Sequence, residues 1–362
     1  LAAALTAAPA ITNAKSKPKC DPLAYVDPLI GTQDGGNVFP GATLPYGLAK
    51  AVADVDGQNT GGFGTDGSNV TGFSSVHDSG TGGNPSLGNF PLFPQVCEGD
   101  ELNNCQFRIG DRKVHYVNDS VMAVPGHFAL ELETGIQAEM TVSERAALYR
   151  FTFPEEKVGG DNAAHPLVML DLTDLWKSRQ NASISVDEEK GRMVGNGTFL
   201  PSFGAGSYVM HFCVDFFGAD VHDSGVWVNN RAGNDPKDLY VTRGFNLFYI
   251  EAGGFMRFSP GDDRTVTARV GISFKSSEQA CRSAETEIPN PVDGDFKRLI
   301  KQAKNAWREK LSPIQVKSGG ATEDLLTSFW SGAYRNMIAP ANYTGENPHW
   351  DTGRPYFDSF YW

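Results

Sequence analysis

A chain of 362 residues is long enough for about two domains and can bury a substantial core. Hydrophobic residues make up 40% and charged residues 20%, and no run reaches the ~18 apolar residues of a membrane span. With 31 basic against 43 acidic residues the net charge is −12, which argues against nucleic acid or anionic lipid as partner and for a neutral or cationic ligand.

Residues 1–20 open on the Ala-rich stretch Leu1 to Ala10 and read either as the tail of a secretory signal or as a disordered arm. Residues 21–290 read as a β-rich domain. The 40 Gly, 21 Pro and many aromatics suit numerous turns between short strands. The clearest hairpin runs Phe128 to Glu133, turns at Thr134 and Gly135, and returns over Ile136 to Val142. There Ile136, Ala138, Met140 and Val142 share one face. Leu148 to Phe153 and Val266 to Phe274 continue the alternation, and Leu167 to Leu172 reads as a more buried strand. Successive period-two strands without intervening helices predict a mainly β fold, a large antiparallel β-sandwich.

The periodicity changes after Pro291. Asp293 and Asp295 can cap a helix to about Leu311, with Phe296, Leu299, Ile300, Ala303, Trp307 and Leu311 at helical spacing. This makes residues 291–320 a helical linker whose basic opposite face reads as solvated. Thr322 then caps a second helix with Leu325, Leu326, Phe329, Ala333, Tyr334 and Met337 as its apolar face. Residues 321–362 therefore read as the start of a helical domain cut short.

Five sequons, at Asn69, Asn118, Asn181, Asn196 and Asn342, exceed the two or three that composition gives by chance, roughly. Cys97 and Cys105 bracket a polar loop and fit a local disulfide. Cys213 alternates with apolar residues and reads as a buried thiol, and the odd count leaves the partners of Cys20, Cys213 and Cys281 open. An extracellular location is favoured.

Two stretches, Ile30 to Gly47 and Gly72 to Gly83, are rich in Gly, aromatics and small polar residues without strand or helix periodicity. Loops of this length are either functional or rigid connections. An aromatic beside small polar groups suits a sugar, whose C–H face stacks while its hydroxyls find partners. His77 beside Asp78 can meet ligand hydroxyls or brace the loop. Gly62 to Gly67 spells a dinucleotide fingerprint but opens no helix. Asp54 to Asn59 begins like a calcium loop, yet Thr65 stands where the closing Glu belongs, so an Asx-rich turn is favoured. Asp351 and Asp358 have the chemistry for glycoside hydrolysis, but no credible acid–base pair emerges.

These segments resemble glycoside hydrolase family 92, the exo-acting α-mannosidases, especially the secreted fungal type. The matching stretches are Tyr25 to Thr32, Val38 to Gly47, Gly72 to Gly83 with Pro85 to Phe93, Tyr334 with Arg335, Ala339 with Pro340, and Tyr356 to Tyr361. The resemblance implies a β-sandwich, a helical linker and an (α/α)6 barrel. It also implies a calcium-dependent, inverting enzyme that trims terminal mannose, of α-1,2-type linkage, from glycans. It places the catalytic acid, base and calcium ligands beyond Trp362, so that the 362 residues alone are expected to be inactive. The sandwich would contribute Phe39, Pro40, Gly41, His77, Asp78 and Ser79 to the substrate site, joined by Asp358. The competing expectation is a glycan-binding sandwich without catalysis.

Overall fold

The computed structural model describes residues 21–359, apart from 58–59, 81–83, 85, 160–163, 246–247, 260, 262, 293, 318 and 352. The arm of residues 1–20, Cys20 and Phe360 to Trp362 lie outside the described residues.

Two antiparallel sheets pack face to face. One has eight strands, in spatial order Ala42–Thr43, Lys50–Val55, Val70–Ser74, Leu92–Val96, Pro166–Asp171, Ala252–Phe258, Val221–Val228 and Arg231–Gly233. The other has nine, in order Asp238–Thr242, Asn181–Asp187, Arg192–Phe199, Tyr208–Phe217, Thr265–Ser273, Ala146–Thr152, Gln137–Val142, His127–Glu131 and Met122–Val124. The expected hairpin holds: Gly135, at φ +84°, closes the turn and Ala138, Met140 and Val142 enter the core. Strands alternate inward and outward, as Arg192–Phe199 does without exception.

The strand connections fall at two ends, each with short and long ones. One end carries the turns 132–136, 188–191 and 218–220 beside the longer spans 56–69, 97–121 and 153–165. The other carries the loops 75–91, 172–180, 200–207 and 243–251 beside the short turns 125–126, 143–145 and 229–230. Trp176, Phe203, Phe245 and Phe248 stand exposed on these longer loops.

The outer face of the nine-stranded sheet is covered by helices. One of them, Ser277–Glu287, was not expected, because its buried side chains are only Ala280 and Ala284 and offer no large apolar stripe. Its start is nonetheless marked by Ser276, whose hydroxyl accepts the Gln279 N–H. A Cβ on Gly271 would lie 2.1 Å from the Ala280 carbonyl oxygen, so that glycine permits the helix to lie flat on the sheet. The helix also corrects the reading of Cys213. Its side chain points away from the sandwich core, not into it, and is disulfide-bonded to Cys281; the thiol looked internal only because the covering helix was missed. The Cys97–Cys105 disulfide is present as expected.

The helix Asp295–Leu311 buries Phe296, Leu299, Ala303, Trp307 and Leu311. Gly294 occupies its N-cap, while Asp295 accepts the Asn290 N–H and pairs with Arg298; Asp293 lies outside the described residues. The next helix, Glu323–Arg335, differs from expectation in its contact face. Leu326, Trp330, Ser331 and Tyr334 are buried, whereas Leu325 and Phe329 are exposed. Trp307 sets that face: its ring meets Tyr334 at 4.1 Å and its indole donates to the Thr43 carbonyl at 2.8 Å.

Candidate functional site

The two aromatic-bearing stretches meet at the end that carries the 75–91 loop. The Phe39 N–H donates to Ser79 Oγ at 3.3 Å, and the Gly80 N–H to the Asn37 carbonyl at 2.7 Å. The Phe39 and His77 rings stack with centroids 5.5 Å apart. Gly41 is required here, since a Cβ would lie 2.3 Å from the Ala51 carbonyl oxygen and 2.6 Å from the Phe39 ring.

Phe39 and His77 are fully buried, however, and Pro40 and Gly41 are buried with them. His77 Nδ1 donates to the Lys50 carbonyl at 2.7 Å, while Nε2 faces Asp54 Oδ1 at 2.8 Å and Ser74 Oγ at 3.1 Å. With Nδ1 carrying its hydrogen, the contact with Asp54 needs one further proton, on Nε2 or on the carboxyl. Ser74 and Asp54 sit on the same nitrogen, which is not the opposed arrangement of a nucleophilic triad. His77 is therefore a brace, and the reading of its imidazole as a contact for ligand hydroxyls is corrected. Beneath it, Lys50 is fully buried and donates to the Gly47 carbonyl at 2.8 Å. Burial pushes its ammonium down to about 8, with the Asp78 carboxylate opposing that fall.

The chain after the second helix lies against this frame. The Tyr46 N–H donates to the Met337 carbonyl, the Asn342 N–H donates to the Tyr46 carbonyl, and the Tyr46 ring meets Phe357 edge-on at 6.0 Å. Buried Glu346 anchors the segment, accepting from Ser273 Oγ, the Phe274 N–H and Gln279 Nε2 at 2.7–2.9 Å. Asp358 accepts from the Tyr356 hydroxyl at 2.7 Å.

Between this segment and the sandwich lies a cavity of about 530 Å³. Tyr208, Phe274, Tyr343 and Tyr356 supply aromatic surface; His211, Lys275, Asn347 and His349 supply polar groups. Burial pushes the His211 imidazole down, against the opposing pull of Glu278 and Glu346. Buried Tyr343 is one of the residues that line the cavity. Its phenol is pushed up by burial first, then by the nearby carboxylates of Asp78 and Asp358. One carboxylate from each wall thus lies within electrostatic reach of one cavity residue.

Of the seven expected site residues, the structure gathers Phe39, Pro40, Gly41, His77, Asp78 and the half-buried Ser79 into one frame, whereas Asp358 lies apart on the terminal segment, bonded to Tyr356. None of the seven lines the cavity itself. Sequence reasoning missed Tyr208, His211, Phe274 and Tyr343. The stretch Asn342 to Trp350 has the same Gly, Pro, aromatic and Asn composition as the two loops that were singled out, and the same criterion would have found it.

Among the described residues no group of three His, Cys, Asp or Glu is placed to hold a metal ion, so these residues do not fit the calcium that the family resemblance implies. Asp54 lies in the strand Lys50–Val55 and is turned to His77, and Asp56 accepts from Asn69 across the connection and pairs with Lys113, while Asn59 lies outside the described residues. Asp351 pairs with Lys275 at 3.6 Å.

Known proteins place this geometry. Residues 25–273 match the glycosyl hydrolase family 92 N-terminal domain and residues 279–361 the catalytic domain of the same family. The class is therefore glycoside hydrolase, and the chain belongs to family 92. It is 56% identical over 344 residues to an uncharacterized secreted glycosidase of Arthroderma benhamiae, covering 94% of this chain and 44% of the relative. Among solved structures, a family 92 α-mannosidase of Bacteroides thetaiotaomicron matches with a TM-score of 0.75 at 22% identity, covering 93% of this chain and 45% of that one. A family 92 inverting mannosidase of the same organism matches with a TM-score of 0.73 at 20% identity, covering 96% and 43%. The chain thus spans under half the length of these relatives.

Proposed function

We propose that this chain supplies the sandwich wall of a secreted, inverting exo-α-mannosidase that removes terminal mannose from glycans. The observation that carries the reading is the cavity between the sandwich and the terminal segment, lined by both aromatic and polar side chains. Such a lining suits a hexose, whose C–H face stacks while its hydroxyls find donors and acceptors. The first-named Bacteroides relative has also been solved in complex with mannoimidazole.

Inversion requires an acid and a base far enough apart to admit a water. The described carboxylates near the cavity are committed elsewhere: Glu346 is a structural anchor and Asp351 pairs with Lys275. We therefore assign the acid and base, the α-1,2-type preference and the calcium dependence to residues outside those described. Secretion is supported by the two disulfides, which persist in oxidising compartments, and by the secreted relative. The five sequon asparagines are proposed glycan sites. Asn118 is exposed, and the other four are half-buried.

The test is hydrolysis of α-1,2-mannobiose, followed by NMR of the released anomer, with and without a calcium chelator. We expect no turnover by the 362 residues, and chelator-sensitive release of β-mannose by the protein extended through its whole catalytic domain. Release of α-mannose would sink the inverting assignment. Saturable mannose binding with no turnover by the extended protein would favour a glycan-binding sandwich.

A further inference from the structure

Across the 200–207 loop from the mannose cavity lies a second recess of about 300 Å³, lined by Trp176, Gln180, Leu200 and Arg243. One loop walls both spaces, Leu200 facing this recess and Ser207 and Tyr208 the first. Backbone pairing holds its residues in place: the Arg243 N–H donates to the Gln180 carbonyl at 2.8 Å, and the Gln180 N–H to the Thr198 carbonyl at 2.7 Å. The Gln180 amide nitrogen donates to the Ser178 carbonyl at 2.6 Å, which fixes the side chain and leaves its oxygen with no donor among the described residues. Arg243 donates one N–H to the Lys177 carbonyl at 3.0 Å and lies over the Tyr249 ring, 5.9 Å from its centroid. It forms no ion pair among the described residues, although Lys177 beside it is paired with Glu251. Trp176 is 43% exposed, and its indole N–H has no described acceptor.

An open indole face, an unpaired planar donor and an unused amide acceptor, all held by the surrounding backbone, are the groups that a neutral hexose engages. We propose that this recess is a distal subsite for a neutral hexose unit of the glycan whose terminal mannose occupies the first cavity. The inference rests on the mannosidase reading above and adds to it a preference for longer chains. Stacking on Trp176 holds the sugar ring, Arg243 donates to neighbouring hydroxyls, and Gln180 accepts from one.

The experiment is calorimetry on the chain freed of its own N-glycans, titrated with methyl α-mannoside and with linear α-linked mannans from the disaccharide to the pentasaccharide. Affinity should step up about tenfold at one chain length, the scale of a single well-buried aromatic contact. Trp176→Ala should abolish that step and leave methyl α-mannoside binding unchanged, while Trp176→Phe should keep most of it. Arg243→Gln should reduce the step in part. A flat series in which methyl α-mannoside still binds, or a step that survives Trp176→Ala, overturns the subsite and leaves the mannosidase reading intact. No binding of any of these sugars overturns the subsite and the assignment of the first cavity as a sugar site in this chain, and the mannosidase reading is then decided by the turnover test on the extended protein. Because Trp176 is partly exposed, an unchanged melting temperature will show that the variant is folded.

Discussion

The short turns of the sandwich and the long loops beside its cavity are built on different physical terms. The short turns do little beyond reversing the chain, as Gly135, Gly191 and Gly218 do with left-handed backbone angles. The loops 75–91 and 172–180 bury groups that a stable core does not need. His77, Asp78, Asp174 and Arg179 are buried on them, with Lys50 and Asp54 on the adjoining strand, while aromatic side chains stand exposed on the neighbouring loops. Buried charge is costly unless fully partnered, and exposed aromatic surface gains nothing from folding. The comparison teaches that stability is concentrated in the sheets and one set of turns, whereas the long loops are shaped for a ligand at some cost in stability.

The largest test of that contrast is Arg179. It is completely buried and donates to the carbonyls of Leu172, Thr242 and Ile250. Arg179→Met should leave these acceptors unpaired and destabilise the protein by about 3–5 kcal/mol, read as a fall in urea midpoint. A loss below about 1 kcal/mol would break the claim that buried polar groups organise these loops.

The next effect concerns pH. Asp174 is buried under hydrogen bonds from Ser178, and burial pushes its carboxyl up to about 7. From about pH 4 to about pH 7 the folded state keeps a proton that the unfolded chain has released. Stability from this group therefore falls as pH rises through that window and levels off above it. Asp174→Asn should remove up to about 3 kcal/mol of that slope, making the variant relatively more stable at pH 8 than at pH 5. Thermal melts of both proteins across the window would show it, and parallel curves would refute it.

Much of the scaffold could be read in the sequence, because period-two alternation and helical spacing are local signals. The hairpin around Gly135 and the helix ending at Leu311 needed no knowledge of distant partners. The helix Ser277–Glu287 escaped because small residues bury it, and the Cys213 disulfide escaped with it. The candidate site was legible as loops but not as contacts. Composition marked Phe39 and His77 as companions, yet only the folded chain shows their side chains beneath the surface, with Tyr208, Phe274 and Tyr343 facing the cavity. Which face of a loop residue meets solvent is decided by partners up to hundreds of residues away, as when Tyr46 is fixed by Met337 and Asn342.

The smallest effect sets a glycine packed against the buried His77 beside a glycine of a short hairpin turn. Both Gly62 and Gly135 have φ +84°, so alanine is strained equally by the backbone at either position. Their surroundings differ. At Gly62 a Cβ would lie 2.6 Å from both His77 Nε2 and a Val52 methyl, inside the buried frame, whereas at Gly135 the nearest atom is Pro154 Cβ at 3.2 Å. Gly135→Ala should therefore cost about 1 kcal/mol from backbone strain alone. Gly62→Ala should cost about 1 kcal/mol more, because the imidazole is held on both edges and cannot move aside. Gly62→Ala should also weaken methyl α-mannoside binding by displacing the loop that carries Asp78, an effect with no counterpart at Gly135. Equal losses of stability with sugar binding intact in both variants would show that the His77 brace does not position the cavity, and the functional difference between the long loops and the short turns would then rest on the exposed aromatic side chains alone.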